Sequence, residues 1–136
     1  MLNCFQGAAT ASGARLEYRW DPLCYAPMQG NTVLARLYAA NLESQGREVQ
    51  LVDSSGTFGS TDMGNVSQLV PAIHATVAIA PGNVLLHSPE FAVAAASEAA
   101  VDGLIDAAKA LAMTVTDLLA APEIMAEARD EFGGGQ

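Results

Sequence analysis

Residues 97 to 119, SEAAVDGLIDAAKALAMTVTDLL, contain the clearest structural pattern in the sequence. Apolar residues recur there every three or four positions, which is the spacing of one face of an α-helix. The stripe consists of Val101, Leu104, Ile105, Ala108, Leu111, Ala112, Val115, Leu118 and Leu119. Ser97, with Glu98 behind it, is typical of a helix start, and Pro122 interrupts the pattern. The sequence therefore predicts a long helix whose apolar stripe covers a core.

Shorter helices are predicted on both sides of this one. Asn31 is a suitable cap for a helix with apolar residues at helical spacing, and Gly46 ends that helix. Residues 122 to 132, PEIMAEARDEF, predict a short closing helix. The first residues of the chain are compatible with the end of a helix that stops at Gly13.

Three segments have the composition of β-strands. RLEYRW, residues 15 to 20, alternates apolar and charged side chains with a period of two. EVQLVD, residues 48 to 53, is short, and PAIHATVAIA, residues 71 to 80, is an apolar run between prolines. Strands that alternate with helices predict an α/β fold in which a short mixed sheet is covered by helices. Because so few strands would leave costly open edges, the chain is expected to be part of a larger unit.

A connector separates the first strand from the rest. DPLCYAPMQGN, residues 21 to 31, contains two prolines, a glycine and an asparagine. It is the best place for a domain boundary. The strand at residues 15 to 20 is expected to stand apart from the sheet, beyond this connector.

Composition restricts the classes of function. The chain has 136 residues, 51% of them hydrophobic, which fits one domain with a buried core. Its formal net charge is −9 with only six basic residues, which argues against binding to nucleic acid or to anionic membrane surfaces. No apolar run reaches the length of about 20 residues that a membrane span needs. Cys4 and Cys24 form no C-x-x-C pair, so reduced thiols in a cytoplasmic protein are expected.

The stretch GSTDMGNVS, residues 59 to 67, concentrates polar and flexible residues in a loop. Gly59 and Gly64 permit the close approach of other groups, and Thr61 or Asp62 can accept from the free amides of the next helical turn. Two interpretations are open. The stretch is either a capped turn or the wall of an active site whose amides face an anionic group. It lacks the lysine of a P-loop and the G-x-S-x-G of a nucleophile elbow.

The two histidines differ in their setting. His87 follows an apolar segment and precedes SPEF, where an imidazole can be a metal ligand, a general base or a structural group. His74 lies within the apolar run and is expected to be buried, neutral and hydrogen-bonded. A metal site needs three or more ligands from histidine, cysteine or carboxylates, and the sequence shows no complete set. A triad of Ser60, Asp62 and His87 is disfavoured, because an acid and a nucleophile two residues apart would compete for the same space.

Four blocks in order, GSTDMGNVS, VPAIH, HSPEF and AAKALAMTVTDLL, together resemble the C-terminal segment of the M-twenty metallopeptidases. The likeness runs over nearly the whole chain. It is greatest for the amidohydrolase branch that contains the p-aminobenzoyl-glutamate hydrolases and the β-alanyl-lysine-type dipeptidases. The resemblance implies an α/β catalytic domain with two metal ions, usually zinc, and an inserted βαββαβ lid and dimerisation domain. It further implies that residues 1 to 26 are a remnant of the lid and that residues 27 to 136 are the C-terminal part of the catalytic domain.

The same resemblance implies the residues of the site. His87 matches the last metal-ligand histidine of the family, and the segment Gly59, Ser60, Thr61 and Asp62 matches the segment that lines the substrate cleft. The other ligands and the catalytic glutamate of the family lie in an N-terminal region for which this chain has no matching motif. No catalytic residue is therefore assigned in this chain.

The expected function is that of the C-terminal portion of a zinc-dependent amidohydrolase or dipeptidase. Such an enzyme hydrolyses an N-acyl amino acid or a dipeptide-like substrate with a metal-activated water. The expected partners are this small substrate and either the missing N-terminal half or a second copy of the chain. The alternative is a catalytically inactive remnant that acts as a partner-binding or dimerisation module.

Overall fold

The computed structural model describes residues 1 to 52 and 61 to 134, and these ranges contain six α-helices. The helices are α1 (Leu2–Ser12), α2 (Thr32–Glu43), α3 (Met63–Ser67), α4 (Pro89–Ala95), α5 (Glu98–Ala120) and α6 (Pro122–Gly134). The predicted long helix, the helix after Asn31 and the closing helix are all confirmed.

The starts of α2 and α5 and the end of α1 are where the local sequence predicts them, whereas α2 ends at Glu43, before Gly46, and α6 continues to Gly134. The side chain of Ser97 accepts a hydrogen bond from the amide of Ala100 at the start of α5. The side chain of Asn31 does the same at the start of α2, where it accepts from the amide of Leu34 at 3.0 Å. Gly13 follows α1 in the left-handed conformation, with φ of 70°, which a glycine adopts without steric cost.

The predicted sheet has no support in the structure. No β-strand occurs in residues 1 to 52 or 61 to 134, and the described fold is mostly helical. The segments 15 to 20, 48 to 52 and 71 to 79 contain no helix, but they do not pair with one another. Their composition suits a strand, but a strand also requires a neighbour to accept and donate its backbone hydrogen bonds.

The core of the described part lies between α2 and α5, with α6 packed against both and α4 against α5. Its buried centre consists of Tyr38, Leu42 and Ala110. Ile73 and Val77, from the segment before α4, pack partly against this centre. The core is small because the largest apolar side chains of α5 are not in it.

The apolar stripe of α5 is mostly exposed, so the prediction that it covers a core is wrong. The residues of α5 that are buried are Gly103, Ala110 and Thr114, which lie on the opposite side of the helix from most of the stripe. Leu104 is 67% exposed and Leu111 is 54% exposed. Other exposed members of the stripe are Val101, Ile105, Val115 and Leu119.

Polar contacts determine which face of α5 packs against α2. Asn41 of α2 is buried, and its amide donates to Thr114 at 3.2 Å and to Asp117 at 2.8 Å. Arg47 forms an ion pair with Asp106 at 2.8 Å at the other end of the contact. These groups lie on the same face of α5 as the buried small residues, so satisfying them turns the stripe away from α2.

The surface of the chain is large for its mass. It exposes 10,200 Å², whereas a folded monomer of 14.1 kDa is expected to expose roughly 6,700 Å². Helix α1 contributes to this area, since it contacts none of the other helices in the described part of the chain. The division into two domains after residue 26 stays a prediction. Within the same residues, no helix has both the length and the apolar character needed to cross a membrane.

Candidate functional site

Helix α3 contains the second half of the stretch GSTDMGNVS, and its polar side chains hold the connector. The side-chain oxygen of Asn65 accepts from the amide of Ala26 at 3.0 Å, and its side-chain nitrogen donates to the carbonyl of Cys24 at 3.0 Å. The hydroxyl of Ser67, which is fully buried, accepts from the amide of Gln29 at 2.9 Å. These side chains therefore have structural roles in fixing the path of residues 24 to 29.

The contact between α3 and the connector also requires a glycine at position 64. A Cβ atom at this position would clash with the backbone carbonyl of Ala26, and it would also lie 3.4 Å from the carbonyl carbon of Pro27. Backbone atoms cannot rotate away as the end of a side chain can. The close approach that the sequence predicts at Gly64 is confirmed, and the approaching group is the connector.

The first half of the stretch turns the chain into α3. The hydroxyl of Thr61 accepts a hydrogen bond from the amide of Met63 at 3.3 Å, which confirms the capping role proposed for it. Asp62 is exposed, and its carboxylate makes no capping hydrogen bond to α3. Gly59 and Ser60 lie outside the described residues, so the cleft-lining role of the segment stays a prediction.

His87 lies at the surface, immediately before α4. Its backbone is left-handed, with φ of 64°, which is uncommon for a residue with a side chain. Ser88 follows it and caps α4 by accepting from the amide of Phe91 at 3.1 Å. The imidazole of His87 is exposed and makes no hydrogen bond to any other described residue. Both ring nitrogens are therefore accessible to a ligand or to another chain.

The predicted site residues do not converge within the described ranges. Helices α3 and α4, which follow Asp62 and His87, make no contact with each other. No group of three or more histidine, cysteine, aspartate or glutamate side chains in those ranges is arranged to hold a metal ion. The described residues therefore do not form a zinc site on their own, and His87 would supply a single ligand.

His74 is exposed, so the prediction that it is buried is wrong. It follows Ile73, whose side chain packs partly against the core. His74 lines an open groove together with Tyr38, Met63, Ile73, Ala75, Val77, Ile79, Ala100, Gly103, Leu104, Ala107 and Leu111. Burial raises the pKa of the Tyr38 hydroxyl above its ordinary value of 10.0.

The groove was not predicted from the sequence. It depends on how the segment before α4 lies against α5, and no local pattern specifies that contact. The hydrogen bonds by which Asn65 and Ser67 hold residues 24 to 29, called the clamp below, were not predicted from the sequence either. Their only signal in the sequence was the presence of polar residues just inside a short helix.

No family model and no solved structure matches the chain. Two curated proteins match it along nearly its whole length. It is 37% identical over 132 residues to a human protein named Xaa-Arg dipeptidase, and the match covers 96% of this chain and 30% of the human protein. It is 36% identical over 132 residues to the mouse protein of the same name, with the same coverage. The chain thus spans about a third of the length of these relatives, and over that length it is similar to a segment of a dipeptidase.

Proposed function

We propose that the chain forms part of a metal-dependent dipeptidase or amidohydrolase. The observation that carries this proposal is the 37% identity to a dipeptidase over 132 residues, a match that covers 96% of the chain. Because the match covers only 30% of that relative, the remaining groups of the active site would come from polypeptide outside the 132 matched residues.

His87 is the proposed contribution to the metal site. Its exposed imidazole lies in a left-handed turn next to the capped start of α4. A histidine at such a turn can bind an ion without moving the rest of the fold. Other groups must complete the site, because the described residues do not. The cofactor that the family resemblance implies is zinc, with two ions in the complete enzyme.

The segment Gly59, Ser60, Thr61 and Asp62 is the proposed wall of the substrate cleft. The clamp of Asn65 and Ser67 on the connector would fix its C-terminal end. The proposed substrate class is a dipeptide or an N-acyl amino acid. A dipeptide with a C-terminal arginine is the first to test, because the relatives are named for such a substrate.

A second candidate is an inactive module that binds a partner or a second copy. The exposed apolar stripe on α5 favours it, since contiguous apolar surface of this kind commonly marks a protein interface. The two candidates differ in whether the assembled protein hydrolyses an amide bond.

The test compares the chain alone with the chain combined with a complementary polypeptide. For the latter we would use human Xaa-Arg dipeptidase from which the 132 matching residues have been removed. Both samples are supplied with zinc and assayed on Xaa-Arg dipeptides and N-acyl amino acids. We expect no hydrolysis and only weak zinc binding by the chain alone, and hydrolysis by the combination. A stable, zinc-loaded complex that hydrolyses none of these substrates would favour the inactive module.

A further inference from the structure

We propose that α3 fixes the position of residues 1 to 23 relative to the proposed substrate cleft, with Asn65 as the positioning residue. Asn65 acts through the connector and not on the substrate itself. The inference rests on the proposed function only in taking Thr61 and Asp62 as part of the cleft wall.

Residues 1 to 23 form hydrogen bonds and ion pairs only among themselves within the described part of the chain. Helix α1 contacts none of the other helices described. The bond of this part that lies nearest the rest of the chain joins the amide of Leu23 to the carboxylate of Asp21 at 2.9 Å. The hydrogen bonds that hold the chain to the other helices therefore begin only after residue 23.

The first of these bonds come from Asn65. Its side-chain nitrogen donates to the carbonyl of Cys24, and its side-chain oxygen accepts from the amide of Ala26, both at 3.0 Å. One amide group thus holds two backbone positions of the connector in a fixed register. The point at which residues 1 to 23 leave the core is set by this pair of bonds.

The next part of the connector is held by other side chains. The side-chain nitrogen of Gln68 donates to the carbonyl of Pro27 at 2.8 Å. Ser67, which is fully buried, accepts from the amide of Gln29 at 2.9 Å. These bonds do not involve Asn65, so they remain when its side chain is removed. Asn65 therefore controls residues 24 to 26 specifically.

Helix α3 joins this hold to the proposed cleft wall. The hydroxyl of Thr61 accepts from the first amide of α3 at 3.3 Å, which ties Thr61 and Asp62 to the helix. Gly64, in the same helix, lies against the carbonyl of Ala26. Because α3 has only five residues, it offers little length over which to bend. A shift of the connector must break the bonds of Asn65 or carry the cleft wall with it.

Both parts belong to the segment that is similar to the dipeptidases. The match covers 96% of this chain, so it includes residues on both sides of the connector. A complementary polypeptide would have to meet residues 1 to 23 and the cleft wall in one arrangement. An error of about 1 Å in the position of reacting groups can lower a rate by about a hundredfold, so this arrangement must be fixed closely.

The first experiment measures the position of residues 1 to 23 in the full chain by electron spin resonance. One spin label is attached to Cys4 on α1, which is exposed. The second is attached to a cysteine introduced by Thr116→Cys at an exposed position of α5. Cys24→Ser removes the other thiol and leaves the backbone carbonyl that Asn65 binds.

Asn65→Ala should broaden the distribution of distances between the two labels. The segment without a hold would grow from residues 21 to 23 to residues 21 to 26. The span of a flexible segment rises with the square root of its length, so the width should rise by roughly 40%. An unchanged width would overturn the inference.

Val66→Ala is the matched control, since it also introduces alanine into α3 but removes no hydrogen bond to the connector. It should leave the width unchanged, and an equal broadening there would overturn the inference as well. Asn65→Asp keeps an acceptor for the Ala26 amide and loses the donor to Cys24, so it should broaden the distribution less. It also serves as the milder variant if circular dichroism shows that Asn65→Ala loses helix.

The second experiment uses the zinc-loaded combination with human Xaa-Arg dipeptidase that lacks the 132 matching residues. Asn65→Ala should lower kcat/KM on Xaa-Arg dipeptides by about tenfold or more per assembled complex, with the metal content unchanged. A residue that only stabilises the fold would reduce the amount of complex and leave its kcat/KM intact. An active assembly in which Asn65→Ala keeps its full kcat/KM would overturn the inference.

Failure of the proposed function has a different signature. A parent assembly that hydrolyses no dipeptide contradicts the proposed function. The distances between the spin labels then decide whether Asn65 positions residues 1 to 23, because they are measured in the chain alone.

Discussion

The side-chain oxygen of Asn65 accepts the backbone amide of Ala26 across 3.0 Å. This bond joins α3 to the connector of residues 21 to 31, and its two partners are 39 positions apart in the chain. The side-chain nitrogen of Asn65 donates to the connector as well, and Ser67 holds it one turn further along. The second half of GSTDMGNVS is thus explained by the fold, and only its first half remains available to line a cleft.

Gly64→Ala tests the clamp directly. The new methyl group would meet the carbonyl of Ala26, and the connector would have to move. We expect the free energy of unfolding to fall by about 1–3 kcal/mol, although alanine favours a helix more than glycine does. Urea denaturation measures the change. Gly30→Ala is the control, since nothing lies within 4 Å of its Cβ position, and a loss of similar size there would contradict the explanation.

Asn41→Ala should destabilise the contact between α2 and α5. Asn41 is buried and donates to both Thr114 and Asp117. The expected loss in the free energy of unfolding is about 1–3 kcal/mol, because two hydrogen bonds disappear and a small cavity forms. A double-mutant cycle with Asp117→Ala checks the cause. If the two losses are fully additive, the hydrogen bond between the side chains contributes nothing.

Glu131→Gln should change how stability depends on pH. Burial raises the pKa of the Glu131 carboxyl, but the hydrogen bonds from Thr32 and Val33 and the charge of Arg36 lower it more. The pKa therefore lies below its ordinary value of 4.5. A depressed carboxyl pKa stabilises the fold above the unfolded value of 4.5, and that stabilisation is lost as the pH falls through the lower, folded value.

We therefore expect Glu131→Gln to be less stable than the parent at pH 7, by under about 1 kcal/mol because the group is exposed to solvent. The difference should shrink as the pH is lowered below 4.5. Thermal unfolding of both proteins across this range would measure it. A difference that is constant with pH would show that the carboxylate at the start of α2 is not responsible.

Local sequence determined the helices and their caps, whereas tertiary contacts determined which faces are buried. Asn31 and Ser97 could be identified as caps because a cap involves only the next few residues. The stripe on α5 was identified correctly, but its burial depends on a partner surface. The buried side chain of Asn41 and the ion pair of Arg47 select the opposite face instead. For the same reason the segment of residues 71 to 79 has the composition of a strand without being one, because no described neighbour pairs with it.

The candidate site could be predicted only in part. The position of His87 before a capped helix follows from SPEF, since a serine before proline is a common helix start. Its left-handed backbone and its exposure do not follow from any local pattern. The sequence predicts a buried His74 because its neighbours are apolar, but His74 is exposed, since an apolar run need not be buried on every side.

The last prediction concerns His87 in the assembled protein. We choose His87→Gly, because glycine adopts a φ of 64° without steric cost and removes the imidazole. In the chain alone, glycine relieves the steric cost of the left-handed conformation, which stabilises the folded state. Glycine also gives the unfolded chain more conformational freedom, which offsets this gain. The free energy of unfolding should therefore change by less than about 1 kcal/mol. If His87 is a metal ligand, the metal content of the assembled protein and its kcat should fall together, kcat by about a hundredfold or more.

His74→Ala is the matched control, since it removes the other imidazole from an exposed position. Metal analysis and dipeptide hydrolysis, both expressed per assembled complex, separate ligand loss from weakened assembly. His74→Ala should leave both quantities close to those of the parent. If His87→Gly keeps its full metal content and its activity, His87 is not a metal ligand and its left-handed turn is a structural feature alone. Because the substitution suits the backbone at this position, misfolding would not account for a loss confined to metal and kcat.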